Sequence, residues 1–264
     1  MDMPRNAFKR ALAARTSQVG LFLGTAEPYI AELLAATGFD WLLIDGEHGP
    51  NDLRTILAQL QVLAAYPVQA VVRTRDHDPA AIKQLLDAGA RTLMVPMVET
   101  GAQAQALVRA MRYPPHGIRG VGTAMARAAH WNGVADYFVH ADGEQCLVVQ
   151  IESRAALDGL DDILAVDGVD AVFVGPSDLA ASLGHLGNPG HPEVKAAVGD
   201  AIRRIAAAGK AAGVFSADPA LAAGYREIGA SFILVGVDTL LLRNAAVALA
   251  ARFKQDVASA GAAY

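Results

Sequence analysis

Short apolar runs alternate with longer amphipathic stretches along almost the whole chain, and few folds accept that pattern. The runs fall at 20–24, 41–45, 70–73, 92–97, 147–152, 171–175, 212–215 and 232–237. Most are rich in Val, Ile and Leu without polar alternation, as expected of parallel strands covered on both faces. Between them, helical periodicity runs over 27–37, 52–63, 79–88 and 193–208. Gly38, Gly89, Gly209 and Gly229 stand where left-handed helix caps fall. Asp78-Pro79 and Asp218-Pro219 read as an N-cap followed by a first-turn proline. Eight such βα units in about 250 residues predict a single (β/α)8 TIM barrel spanning 1–264. A doubly wound sheet is the alternative, but no Gly-x-Gly-x-x-Gly follows the first run to support a dinucleotide site. The segment 112–142 breaks the alternation, and its length marks a functional or interface loop.

Parallel strands send their C-terminal ends to one rim, and the chemically capable residues collect there. One run ends in Gln150-Ile151-Glu152 and the next leads into Gly175-Pro176-Ser177-Asp178. Two neighbouring carboxylates repel, which raises one pKa. A hard divalent cation removes the conflict and leaves positions open for substrate oxygens. The plainer reading is that each acid caps the following helix or pairs with a surface base. Asp45 and His48 follow the second run and Arg73 ends the third, all at the same rim, where barrel enzymes keep their active sites. Arg73 lies within an apolar run, where a charge must meet an anion or pair with Asp45. His48 sits in the Gly/Pro-flanked loop Asp45-Gly46-Glu47-His48-Gly49-Pro50, as a reactive or a structural loop histidine. Glu47 reads as exposed and is given no role. His77, His116, His130, His140, His185 and His191 fall in loops or at helix edges and are unassigned.

Composition excludes several classes. At 53% hydrophobic and 19% charged residues, the chain suits one well-buried globular domain. The lone Cys146 cannot form an internal disulfide, which points to a reducing, cytoplasmic setting. No apolar stretch nears the roughly 20 residues of a membrane span. Arg5, Lys9, Arg10 and Arg15 are followed by no secretory h-region, so a short amphipathic helix is expected there. A net charge of −5 argues against a nucleic-acid surface.

Taken together, Trp41-Leu42-Leu43-Ile44-Asp45-Gly46-Glu47-His48-Gly49, Val71-Val72-Arg73, Val95-Pro96-Met97-Val98, Arg112-Tyr113-Pro114-Pro115, Gly117-Ile118-Arg119-Gly120-Val121-Gly122, Val149-Gln150-Ile151-Glu152 and Gly175-Pro176-Ser177-Asp178-Leu179 resemble the HpcH/HpaI family of class II pyruvate aldolases. The similarity runs from about residue 7 to the C-terminus, in order and spacing. The resemblance implies a divalent metal, Mg²⁺, Mn²⁺ or Co²⁺ with Zn²⁺ accommodated, held by Glu152 and Asp178. It implies a homohexamer of two trimers with C-terminal helices exchanged between subunits. Arg73 would bind the ketone oxygen and stabilise the enolate, and His48, oriented by Asp87, would move the proton. Asp45 would position Arg73 or His48, and Gln150 would line the metal site. The turn at Gly175 and the amides of Ser177 and Asp178 would take the pyruvate carboxylate, a role suited to a helix start.

The implied activity is retro-aldol cleavage of a 4-hydroxy-2-oxo acid through a metal-stabilised pyruvate enolate, reversible with other aldehydes. The nearest match in kind is 4-hydroxy-2-oxoheptanedioate, giving pyruvate and succinate semialdehyde in aromatic catabolism. Aldolases for 2-keto-3-deoxy sugar acids are the alternative, and a non-catalytic barrel scaffold a remoter one. An enolate intermediate also implies oxaloacetate decarboxylation. A Schiff-base route would need a rim lysine, and Lys9, Lys83, Lys195, Lys210 and Lys254 are not placed for it. Where the family pattern has tryptophan and leucine, this chain has Phe22 and Phe215, which are expected to face the aldehyde half of the site. Segment 118–124 is expected to reach a neighbouring subunit's site, and Arg127 to meet a distal carboxylate.

Overall fold

Each of the eight apolar runs is a strand, and the strands pair in chain order until β8 closes back on β1. The computed structural model describes residues 1–261, with side chains through Lys254. The strands are β1 (Gln18–Leu23), β2 (Trp41–Asp45), β3 (Gln69–Arg73), β4 (Thr92–Val95), β5 (Cys146–Ile151), β6 (Ala171–Val174), β7 (Ala211–Phe215) and β8 (Ala230–Val237). All eight pairings are parallel, so every connection returns over the outside as helix. Helix α1 (Ala7–Ala13) precedes the barrel. Then come α2 (Pro28–Ala35), α3 (Leu53–Leu63), α4 (Pro79–Ala88) and α5 (Gly101–Met111). The β4–β5 connection continues through a 3₁₀ turn (Arg127–Ala129) and α6 (Tyr137–Glu144). Helices α7 (Arg154–Asp158) and α8 (Leu160–Leu164) link β5 to β6. Two more, α9 (Pro176–Ser182) and α10 (Pro192–Ala207), link β6 to β7. Finally α11 (Pro219–Glu227) precedes β8 and α12 (Asp238–Gly261) follows it. This is the (β/α)8 barrel.

Local chemistry explains the helix ends. Asp78 and Asp218 accept from the amides of Ala80 and Ala220 ahead of their prolines, as their sequence pattern requires. Gly38, Gly89, Gly209 and Gly229 all have left-handed φ. The strands lack alternation because both faces are buried. On β2, Leu42 and Ile44 join the core under the helices, while Trp41 and Leu43 fill the barrel interior. Segment 112–142 is less irregular than expected, since the 3₁₀ turn and the start of α6 lie within it.

The barrel is closed at its N-terminal mouth and open at the other. Helix α1 buries Phe8 and Leu12 against the interior, with the Phe8 ring 5.2 Å from Trp41 and 6.0 Å from Phe232. Gly213 makes room for this layer, because a Cβ there would strike Phe232 and Phe173. A second contrast concerns α12, whose described side chains from Thr239 through Lys254 are all exposed, including Leu240, Leu241, Leu242 and Phe253. No helix among the described residues is long and apolar enough to cross a membrane.

Candidate active site

Arg73 is the centre of the open rim. Asp45 and Arg73 face each other across the β2–β3 register, and the carboxylate grips the guanidinium bidentately, Nε at 2.8 Å and Nη2 at 2.7 Å. Both are buried, with side chains 7% and 8% exposed for Arg73 and Asp45. Burial alone would raise the Asp45 pKa, but the hydrogen bonds and charge of Arg73 outweigh it and hold the carboxyl below its ordinary value. Asp45 Oδ1 also accepts from the amides of Glu47 (3.1 Å) and His48 (3.4 Å), so one carboxylate orients both the arginine and the loop. Asn51 ties the same loop back, donating to Asp45 O at 2.8 Å.

Glu47 corrects the sequence reading. Its side chain is only 18% exposed, and Oε2 lies 3.0 Å from Arg73 Nη1. That pair lacks hydrogen-bond geometry, so Nη1 carries charge toward Glu47 while keeping its N–H directions free among the described residues. Burial pushes Glu47 above the ordinary carboxylate range, and the charges of Asp45 and Asp178 push the same way. His48 stands beside it, Nε2 3.7 Å from Glu47 Oε2, with its side chain 68% exposed to the mouth of the barrel.

At this rim Glu152 lies near enough to Asp178 to feel its charge. Glu152 is buried; it accepts from Gln150 Nε2 and, at 2.9 Å, from the Met97 amide. Burial raises its pKa, and the charges of Asp178 and Glu47 raise it further. Gly175 is required beside it, since a side chain there would collide with the Glu152 carboxylate. Asp178 is exposed in the first turn of α9, and Pro176 at N1 leaves the amides of Ser177 and Asp178 as the first free donors. Met97 was not legible as a site residue. Strand β4 ends at Val95 rather than at 97, and Met97 takes a left-handed φ of 54°. That conformation costs about 1–2 kcal/mol for a residue with a Cβ, and it delivers the amide to Glu152.

This donor set fits a divalent cation. Three carboxylates act on one another electrostatically, one of them deeply buried, and the buried Gln150 Oε1 has no hydrogen-bond partner. All offer oxygen, which suits Mg²⁺, Mn²⁺ or Co²⁺. Glu47 is not drawn into one tight ligand group with Glu152 and Asp178. The one trio among the described residues whose donor atoms lie within 4.8 Å of each other is His185 and His191, between α9 and α10, with Glu193 in the first turn of α10. Those histidines carried no role in the sequence reading. Their rings stack at 3.5 Å, and Glu193 is engaged by His185 (2.9 Å) and Arg154 (3.3 Å).

Phe22 and Phe215 form one wall of the mouth, their rings 6.0 Å apart, with Arg73 Cζ 5.0 Å from the Phe22 centroid. Two residues fall elsewhere. Asp87 ends α4 at the far mouth of the barrel and pairs with the buried Arg119 at 2.7 Å, so within one chain it does not meet His48. Arg127 is also at the far mouth, bonded to Ala88 O and Leu60 O, and is no partner for a carboxylate in this chain's own site. The helices and the closed mouth hold the lysines; Lys9 and Lys210 donate to backbone carbonyls at that mouth.

The chain is similar to known proteins of one family. A profile of the HpcH/HpaI aldolase/citrate lyase family matches residues 18–245. A hydroxypyruvate/pyruvate aldolase of Pseudomonas aeruginosa is 61% identical over 254 residues, 96% of this chain and 95% of that one. A 4-hydroxy-2-oxo-heptane-1,7-dioate aldolase of Klebsiella pneumoniae is 59% identical over 251 residues, 95% of each chain. The crystal structure of an HpcH/HpaI aldolase/citrate lyase family protein from Burkholderia cenocepacia superposes with a TM-score of 0.90 at 41% identity, covering 94% of this chain and 99% of that one.

Proposed function

The chain belongs to the HpcH/HpaI aldolase/citrate lyase family and is an aldolase, a carbon–carbon lyase, and from that premise we propose that it cleaves 4-hydroxy-2-oxo acids through a pyruvate enolate at the Arg73 rim. The observation that carries the reading is the division of labour on Arg73. Asp45 fixes two nitrogens, and Nη1 is left as a rigidly held donor beside the acidic group, 3.0 Å from Glu47 Oε2. A donor held that way favours an oxygen on which charge develops over a neutral ketone.

Glu152 and Asp178 would hold the divalent ion, which when bound supplies Lewis acidity at that rim and balances their charge. The chain's own groups do the rest. The Ser177 and Asp178 amides receive the carboxylate of the 2-oxo acid at the start of α9. Arg73 Nη1 binds the C2 oxygen. His48, in the mouth, takes the proton from the C4 hydroxyl. The C3–C4 bond then breaks, its electron pair forms the enolate of pyruvate, and the aldehyde leaves past Phe22 and Phe215. Protonation at C3 completes pyruvate. Loss of a positioned proton-transfer group costs about 10²–10⁴ in rate.

The first substrate to offer is 4-hydroxy-2-oxoheptanedioate, giving pyruvate and succinate semialdehyde. A second reading rests on the 61%-identical relatives named hydroxypyruvate/pyruvate aldolase: hydroxypyruvate in place of pyruvate as the enolate partner. Pyruvate release from the racemic heptanedioate, coupled to lactate dehydrogenase, tests the proposal in chelated protein and after Mg²⁺, Mn²⁺ or Co²⁺ is restored. Activity lost on chelation and regained with metal supports it; no pyruvate with any metal rejects it.

The exposed leucines of α12 support exchange of this helix between copies in a homohexamer of two trimers. In such an assembly Asp87, at the far mouth of its own barrel, orients His48 of a neighbour or not at all.

A further inference from the structure

A cavity of about 310 Å³ opens at the closed, N-terminal end of the barrel, away from the aldolase rim. It lies among the N-terminal segment, the end of α3, the starts of β3 and β4, and the 3₁₀ turn. Arg91, Arg127 and His130 line it, and among the described residues no aspartate or glutamate does, in a chain whose net charge is −5. Leu60, Leu63 and Val68 supply an apolar floor.

The two arginines are not neutralised by the protein. Among the described residues Arg127 donates only to carbonyls, Ala88 O at 3.2 Å and Leu60 O at 3.5 Å, which orient the guanidinium without balancing it. Among the described residues, the Arg91 side chain makes neither an ion pair nor a hydrogen bond. The acid whose charge reaches Arg91 is Glu144, and its carboxylate is already held by Arg10 at 2.6 Å and by the Asn6 amide. Burial pushes both guanidinium pKa values below their ordinary level, and the charge of Arg127 pushes Arg91 down further, so the two are close enough to repel. Two like charges partly withdrawn from water beside one cavity are unfavourable unless an anion joins them.

We propose that this cavity binds a small doubly charged oxyanion, a phosphate or a short dicarboxylate, between Arg91 and Arg127. Such a ligand accepts from both guanidinium groups and lays its carbon body, if it has one, on the leucine floor. The site is separate from the Arg73 rim, so the anion acts there as an effector or stabiliser rather than as the substrate being cleaved.

Calorimetric titration of the full-length, metal-free protein with inorganic phosphate, and separately with succinate, tests this. One saturable site per chain is expected for at least one of them, and the two arms tell phosphate from dicarboxylate. Losing one charge-assisted partner should weaken binding by at least about tenfold in Arg91→Gln and in Arg127→Gln. Arg91→Lys keeps the charge and should keep saturable binding, and Arg73→Lys should bind like wild type. Without anion, Arg91→Gln should melt no lower than wild type, because it removes repulsion and breaks no hydrogen bond. The proposal is overturned if neither anion saturates, as when another copy fills the cavity. It is equally overturned if the Arg91 and Arg127 variants bind as wild type, or if Arg73→Lys is the variant that loses binding.

Discussion

Replacing Arg73 by lysine keeps a positive charge at the rim but removes the fork, and the structure says which function the lysine must abandon. Arg73 serves Asp45 with Nε and Nη2 and faces the acidic mouth with Nη1. A single ammonium cannot reach both. If it turned to the substrate, buried Asp45 would lose its partner, a loss on the scale of ~3–5 kcal/mol for breaking a buried pair. If it stays with Asp45, the ketone oxygen loses one preorganised donor, about 3 kcal/mol in the transition state. Abandoning Asp45 is the greater loss, so the lysine is expected to stay with it. Turnover should then fall about 10²–10³-fold while the melting temperature changes little. Steady-state pyruvate release, with thermal unfolding followed by circular dichroism, measures both. A lysine variant unchanged in melting temperature and within about fivefold of wild-type turnover, under 1 kcal/mol, would refute the role assigned to Nη1.

Other perturbations probe other parts. Glu152 has its folded-state pKa raised above the unfolded value, so ionised Glu152 destabilises the metal-free fold above that pKa, and the cost is relieved as pH falls through it. Glu152→Gln without metal should therefore melt at or above wild type at neutral pH in calorimetry, yet lose more Mn²⁺ affinity than the about 10–100-fold that outer partners of a metal cost; a lower melting temperature with unchanged Mn²⁺ binding would contradict this. Asp45 has the opposite sign: its lowered pKa contributes stability present above the unfolded value and lost as pH falls through the folded one, so Asp45→Asn should flatten the acid limb of a pH–stability curve. Phe215→Leu opens the aromatic wall and should shift the kcat/KM ratio between a branched and a linear aldehyde by about tenfold. An identical aldehyde profile would remove Phe215 from specificity. Ending the chain after Thr239 removes the exposed leucines of α12 and should reduce the mass found by light scattering; an unchanged assembly would exclude helix exchange.

The barrel was legible because its signal is repeated. Eight unalternating apolar runs, glycine caps and Asp-Pro helix starts each express a local preference that agrees with the closed sheet. Boundaries moved where one residue's backbone decided them, as at Pro96 and Met97. Residues at strand ends, Asp45, Arg73, Glu152 and Asp178, could be placed at one rim because parallel strands share a direction. Glu47 could not, since its burial comes from Arg73 on the next strand rather than from its own loop. Asp87 and Arg127 differ in this respect. A helix between parallel strands ends at the mouth where the next strand begins, so Asp87 at the end of α4 was bound to lie opposite the rim, whereas spacing alone could not say which mouth the long connection carrying Arg127 reaches. The charge imbalance around Arg91 was equally hidden, because it is assembled from segments far apart in sequence.

The most direct test of the central claim isolates the enolate from any choice of aldehyde. Pyruvate incubated with the protein in deuterated water, with Mn²⁺ or Mg²⁺ present and the quenched methyl group followed by NMR or mass spectrometry, should exchange its C3 hydrogens. That exchange should stop on chelation and fall with Arg73→Lys. Exchange that never rises above the uncatalysed rate with any metal would contradict a pyruvate enolate at this rim, whatever aldehydes the enzyme accepts.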